Sequence, residues 1–141
     1  MHRILIVDDS VVSGLLLKHL LNRVPGVSAE SYQDPLDVLA ICAIAAPAAV
    51  VADYKMPTLD GLTFMEALRL LPGCADVPVV MVTGEPGVRE HALHRGVTTV
   101  LAKPVEPNFI QETVMHLLGM NGMRPGGEYV PVSHVAGSLA S

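Results

Sequence analysis

The stretch VVADYKMPTLDG, Val50 to Gly61, decides how the rest of the chain is read. An apolar run stops at an aspartate, Asp53, and turns at once into a Met-Pro-x-x-Asp-Gly loop. A buried strand that ends in an acid has one of two explanations. The acid is a surface stop, or it is a reactive group held at the rim of a sheet. Met56-Pro57 turns the chain away, and Asp60 is placed to cap a following helix.

Outward from this stretch, short apolar runs alternate with patterns of helical spacing. Upstream, Arg3–Val7 lacks alternation, which predicts a strand buried on both faces. Ser10 to Arg23 predicts a helix with Val12, Leu15, Leu16 and Leu20 on one stripe, ended by a Val-Pro-Gly turn. Val27–Tyr32 alternates better and predicts an edge-side strand. Asp34-Pro35 supplies an N-cap and a first-turn proline for a helix to about Ala46. Ala48–Ala52 is the third strand, ending at Asp53.

Downstream, Asp60-Gly61 opens a helix carrying Leu62, Met65, Leu68 and Leu71, and Pro72-Gly73 stops it. Pro78–Thr83 predicts a fourth strand, Gly84–Gly87 a loop, and Val88–Arg95 a short helix closed by Gly96. Thr98–Ala102 predicts the fifth strand. Pro107 or Asn108 opens the last helix, with Phe109, Ile110, Val114, Leu117 and Leu118 as its apolar set. Strands joined by single helices run parallel through right-handed crossovers. The expected fold is α/β, an open doubly wound sheet with helices on both faces.

Composition agrees with one such domain. The chain has 141 residues, 50% hydrophobic and 16% charged, enough for one globular core. Aromatics are 4% and Trp is absent, so Val, Leu, Ile, Ala and Met must build that core. A net charge of -5 with no basic stripe argues against direct nucleic-acid binding. Cys42 and Cys74 read as a reduced pair of a cytoplasmic protein. Ile4–Val7 is too short for a signal peptide; the uncharged Val38–Ala52 stretch falls short of the roughly 20 residues that span a bilayer, and Pro47 cuts it. No membrane association is therefore expected. Residues 1–120 read as the domain and 121–141, without clear period, as a flexible tail or linker.

Ligands of such sheets bind beyond the carboxyl ends of the strands. The first strand ends in Asp8-Asp9, the third in Asp53, the fourth in Thr83 and the fifth in Lys103-Pro104. Three converging carboxylates repel unless a cation lies among them, and hard oxygen ligands favour Mg²⁺. Thr83 can donate to a phosphoryl oxygen, and Lys103 can pair with one. A carboxylate can itself be the nucleophile of phosphoryl transfer. Together these groups describe a site that accepts a phosphoryl group on an aspartate.

Taken in order, ILIVDDS, VVADYKMPTLDG, VVMVTGE and VLAKP resemble the receiver domain of two-component response regulators, over roughly Arg3 to Gly119. The resemblance implies a flavodoxin-like sheet of strand order 2-1-3-4-5. It implies Asp53 as the phosphoacceptor, loaded by a histidine kinase or histidine phosphotransfer protein. Asp9 would ligate Mg²⁺ directly, Asp8 mostly through water, and the backbone carbonyl of Lys55 would add a ligand. Thr83 and Lys103 would hold the phosphoryl group, Glu85 and Lys55 would tune its loss, and Lys103–Pro104 would be cis. Such a domain is a switch of the face formed by the fourth helix, fifth strand and fifth helix, and no enzyme beyond its own phosphorylation and dephosphorylation. A fused output domain, a separate output partner and a phosphorylation-dependent homodimer all stay open. One position departs from the family: Val100 stands where an aromatic usually precedes the lysine by three residues, so a modified output is expected. The strings DYKMP and KPVEP resemble receivers joined to cyclic-di-GMP enzymes.

Blander readings exist for each residue. Asp8-Asp9 could be an N-cap pair at a helix dipole, and His91 and His94 most simply line a solvated face. A haloacid-dehalogenase-type phosphatase would also use a strand-end Asp, a Thr, a Lys and Mg²⁺. It typically carries a second acid two residues after the nucleophile, where this chain has Lys55. A receiver-like interaction module that is never phosphorylated would have little use for the complete acidic set.

Overall fold

The computed structural model describes residues 1–120; the expected tail or linker at 121–141 lies outside the described residues. Strands and helices alternate throughout: β1 (His2–Val7), α1 (Val11–Asn22), β2 (Val27–Tyr32), α2 (Pro35–Ile44), β3 (Ala49–Asp53), α3 (Gly61–Arg69), β4 (Val79–Thr83), α4 (Val88–His94), β5 (Thr99–Ala102) and α5 (Pro107–Leu117). All strand pairs are parallel, in the order β2-β1-β3-β4-β5. This is the doubly wound, flavodoxin-like α/β sheet expected, with β2 at one edge.

Side-chain alternation divides the core into two layers. Leu5, Val7, Val50, Ala52, Val79, Met81 and Val100 face α2, α3 and α4, where Val38, Phe64, Leu68 and Ala92 complete the packing. Ile4, Ile6, Val51, Val80, Val82 and Leu101 face α1 and α5, against Leu17, Leu21, Ile110 and Val114. Burial on both faces explains why these strands read as unbroken apolar runs. Leu68 is fully buried, and its truncation to Ala would cost about 3 kcal/mol.

The helix starts follow side-chain chemistry. Asp34 accepts a hydrogen bond from Leu36 N, ahead of Pro35 at the first turn of α2. Asp60 accepts from Thr63 N at 2.8 Å and caps α3. At α1 the cap is Ser10, whose Oγ accepts from Ser13 N. Asp8 and Asp9 therefore do not act as the N-cap pair, and Asp8 turns to the strand-end site instead.

The buried stripe of α1 differs from the expected one. Gly14, Leu17, Leu20 and Leu21 are buried, while Val12, Leu15 and Leu16 are 78%, 55% and 56% exposed. Apolar residues surround this helix on nearly all sides, so spacing alone could not choose its inner face. Gly14 chooses it. A Cβ there would stand 2.3 Å from Ser31 Oγ, so the helix lies flush against β2 on its glycine side. Smaller differences concern ends: α2 stops at Ile44, short of Ala46, and Leu71 lies beyond α3 but still packs on its core. Among the described residues no helix is long and apolar enough to cross a membrane.

Candidate functional site

Because every strand is parallel, all five carboxyl ends lie along one edge of the sheet. Register sets their levels: Val7 pairs with Ala52, Asp53 with Val82, and Thr83 with Ala102. Asp8, Asp53 and Thr83, though polar, are buried at 2%, 6% and 5% exposure. Asp53 is the last residue of β3, so its carboxylate is carried by a rigid element.

Asp8, Asp9 and Asp53 each offer a carboxylate oxygen, and these three atoms lie within 4.8 Å of one another. Lys103 Nζ stands 3.1 Å from Asp53 Oδ1. Asp8 Oδ1 accepts a hydrogen bond from Ser10 N at 2.9 Å. Burial pushes the Asp8 carboxyl above the usual carboxylate range. The Ser10 N–H opposes that shift, Asp53 adds to it, Lys103 opposes it, and Asp9 adds a little more. Asp9 itself is exposed at the mouth.

A single ammonium does not offset three carboxylates this close together. The donor set is all hard oxygen, partly buried and open on one side, which fits a small divalent cation that keeps some of its water. Lys55 follows Asp53 by two residues. Its ammonium pairs with Glu85 Oε1 at 2.8 Å, which raises its pKa, and its side chain takes no part in the acidic cluster.

Thr83 Oγ1 accepts from Glu85 N at 3.0 Å, so its hydroxyl proton remains free to donate elsewhere. Beyond Thr83, a hollow of about 270 Å³ is bounded by Gly84, Pro86, Arg89, Val100 and Lys103. Val100 is buried, and its carbonyl accepts from Arg89 Nη1 at 2.8 Å, tying α4 to β5. The Lys103–Pro104 bond is cis, as expected. His91 and His94 are both exposed on α4, as a solvated face would be.

Asp8, Asp9, Asp53 and Lys103 thus gather at one edge, with Thr83 at the adjoining strand end; of Lys55 only the backbone carbonyl was expected to take part. Two contributors were not singled out in the sequence. Ser10 escaped because its donor is a backbone N–H. Arg89 escaped because it binds a carbonyl eleven residues away.

Comparison with known proteins fixes the class. The model of the response regulator receiver domain family matches residues 4–115, and the chain belongs to that family. It is 35% identical over 118 residues to the cyclic di-GMP phosphodiesterase response regulator RpfG of Xanthomonas campestris pv. campestris. That match covers 82% of this chain and 31% of RpfG, so the chain spans about a third of that relative. It is 28% identical over 128 residues to chemotaxis protein CheY1 of Helicobacter pylori, covering 84% of this chain and 98% of CheY1. Among solved structures, the chemotaxis response regulator CheY4 of Vibrio cholerae superposes with a TM-score of 0.76 at 28% identity. That superposition covers 84% of this chain and 99% of CheY4. The domain is a receiver of two-component signalling.

Proposed function

We propose that Asp53 accepts a phosphoryl group from a phosphohistidine and that the phosphorylated form carries the signal. The observation that carries this reading is the Lys103–Asp53 approach of 3.1 Å beside two further carboxylates. An Asp53 oxygen attacks phosphorus as the P–N bond of the donor breaks. The electron pair of that bond goes to the imidazole, which takes up a proton. Lys103 Nζ and the Thr83 hydroxyl hold phosphoryl oxygens, and burial of Asp53 keeps water from competing. Mg²⁺, held by Asp8, Asp9, Asp53 and the Lys55 carbonyl, would offset the charge gathering on those oxygens.

The reading extends to the response. A Thr83 hydroxyl drawn to the phosphoryl group weakens its bond to Glu85 N, and the Gly84–Gly87 loop moves with it. That shifts an existing equilibrium of the α4–β5–α5 face, with the Arg89–Val100 tie as the contact between helix and strand. The exposed Lys55–Glu85 pair stands at the mouth and tunes the access of hydrolytic water.

The phosphodonor docks on α1. Val11, Val12, Leu15 and Leu16 form an exposed apolar face, all at least half exposed. Beside it lies a hollow of about 450 Å³ lined by Asp8, Leu16, Leu20, Lys103, Pro104 and Val105. Contiguous apolar surface of this kind marks a protein contact, and this one borders the acceptor. The matching partner is an apolar helix face of a histidine kinase or phosphotransfer protein.

Incubation with Mg²⁺ and acetyl phosphate, followed by intact mass, tests the proposal. Wild type should gain one phosphoryl group and Asp53→Ala none. Equal gain in both would assign the phosphoryl group elsewhere, and no gain in wild type would remove the acceptor role.

A further inference from the structure

We propose that Gly61 is a positioning residue for the Asp53 carboxylate, holding the end of β3 by leaving room for its backbone. The role presupposes Asp53 as acceptor and metal ligand. Gly61 is the first residue of α3, and its N–H donates to Tyr54 O at 2.7 Å. A Cβ at this position would stand 2.8 Å from Asp53 O, 3.1 Å from Tyr54 Cα and 2.8 Å from Met81 Cε. Its φ is outside the left-handed region, so alanine would suit the backbone conformation. Space alone demands glycine.

The three contacts differ in what they can yield. Met81 Cε is the tip of a flexible side chain and can swing aside. The Asp53–Tyr54 peptide cannot move freely, because Tyr54 N is bonded to Val82 O at 2.9 Å on the β4 side. That peptide is gripped between β4 and Gly61. Nor can the start of α3 lift easily, since Gly61 N is itself bonded to Tyr54 O and Leu62, Phe64 and Met65 are buried in the core beneath it. A methyl group at 61 must therefore displace either the peptide of Asp53 or the loop leading to Lys55, and both belong to the site. Among the described glycines, Gly61 is the one whose added Cβ would come within 3 Å of backbone; the tight contact at Gly14 is to the Ser31 hydroxyl.

The test compares wild type, Gly61→Ala, Met81→Leu, the double variant Gly61→Ala/Met81→Leu, and Leu68→Ala as a core lesion remote from the site. Each is followed by amide NMR of residues 52–55, by Mg²⁺ titration, by acetyl phosphate loading and by thermal unfolding. Gly61→Ala should shift the Asp53 and Tyr54 amides before any metal is added. It should weaken Mg²⁺ at least about tenfold and slow loading about 10- to 100-fold, as a misplaced reacting group does. Leu68→Ala should lower the melting temperature while Mg²⁺ affinity stays within about twofold of wild type. The double variant should stay as impaired as Gly61→Ala; where Gly61→Ala alone does not fold, the double variant against Met81→Leu makes the same comparison. Full rescue by Met81→Leu would reduce the role of Gly61 to core crowding and overturn the proposal. Unshifted amides with Mg²⁺ affinity near wild type would overturn it too. Absence of loading in wild type would instead remove Asp53 as acceptor, while the amide and Mg²⁺ data still decide the role of Gly61.

Discussion

Lys103 and Asp53 meet at 3.1 Å although the strands that carry them, β5 and β3, are separated by β4. The ammonium reaches across the carboxyl edge of the sheet to the acid nearest the middle. Lys103 is 38% exposed in its side chain, so water reaches the pair and its net stabilisation is small. In the proposed function its larger effect falls on the phosphoryl group. Lys103→Met should change stability by no more than about 1 kcal/mol and slow acetyl phosphate loading about 10²-fold. Loading kinetics and thermal unfolding on one sample would separate the two effects.

Asp8 sets a pH dependence. Its folded-state pKa is raised above the ordinary value of 3.8, chiefly by burial. The folded protein therefore binds this proton more tightly than the unfolded chain does. Stability of the metal-free protein must fall as pH rises from the unfolded value through the folded one, and then level off. Asp8→Asn keeps an oxygen for Ser10 N and removes the buried charge. It should raise the metal-free melting temperature by a few degrees above that window and cancel most of the Mg²⁺-induced gain. Melting curves against pH, with and without Mg²⁺, check both signs.

The exposed face of α1 separates docking from chemistry. Leu15→Glu combined with Leu16→Glu places charge where both side chains are more than half exposed, so the fold should hold. Loading by acetyl phosphate should stay within about twofold of wild type. Transfer from a phosphohistidine partner should fall at least about tenfold, a loss of about 1.4 kcal/mol in association. Parallel loss in both assays would place the effect in the site and remove α1 as the docking face.

The acid-ended strand was the most legible part of the sequence, for a physical reason. Strands buried on both faces leave no polar position except at their ends, so Asp8, Asp53 and Thr83 stand out against apolar runs. Helix capping at Asp34 and Asp60 was equally readable, because it depends on neighbours two or three residues away. The inner face of α1 was not readable: Val12, Leu15 and Leu16 carry the same apolar signal as Leu17 and Leu21, and only the contact of Gly14 with β2 tells them apart. The Arg89–Val100 tie and the grip of Gly61 were also hidden, since backbone atoms distant along the chain define them.

Cys42 and Cys74 are both buried, and Cys74 Sγ donates to Cys42 O at 3.6 Å. Burial pushes the Cys42 thiol up to about 11, with Cys74 adding to the shift. Burial shields both sulfurs from reagent, and thiolate, the reactive form, is further disfavoured at Cys42, so iodoacetamide at pH 8 should leave both cysteines unmodified in the folded protein. Both should be alkylated in urea. Rapid native labelling of either, read by intact mass, would contradict their burial.

The most direct measurement traps the acyl phosphate where it forms. Wild-type protein loaded with acetyl phosphate and Mg²⁺ is reduced with borohydride, which converts a phosphorylated aspartate to homoserine, and is then mapped by peptide mass spectrometry. Asp53 as acceptor predicts homoserine at position 53 alone, with Asp8 and Asp9 unchanged. Homoserine at Asp8 or Asp9 with Asp53 intact would contradict it.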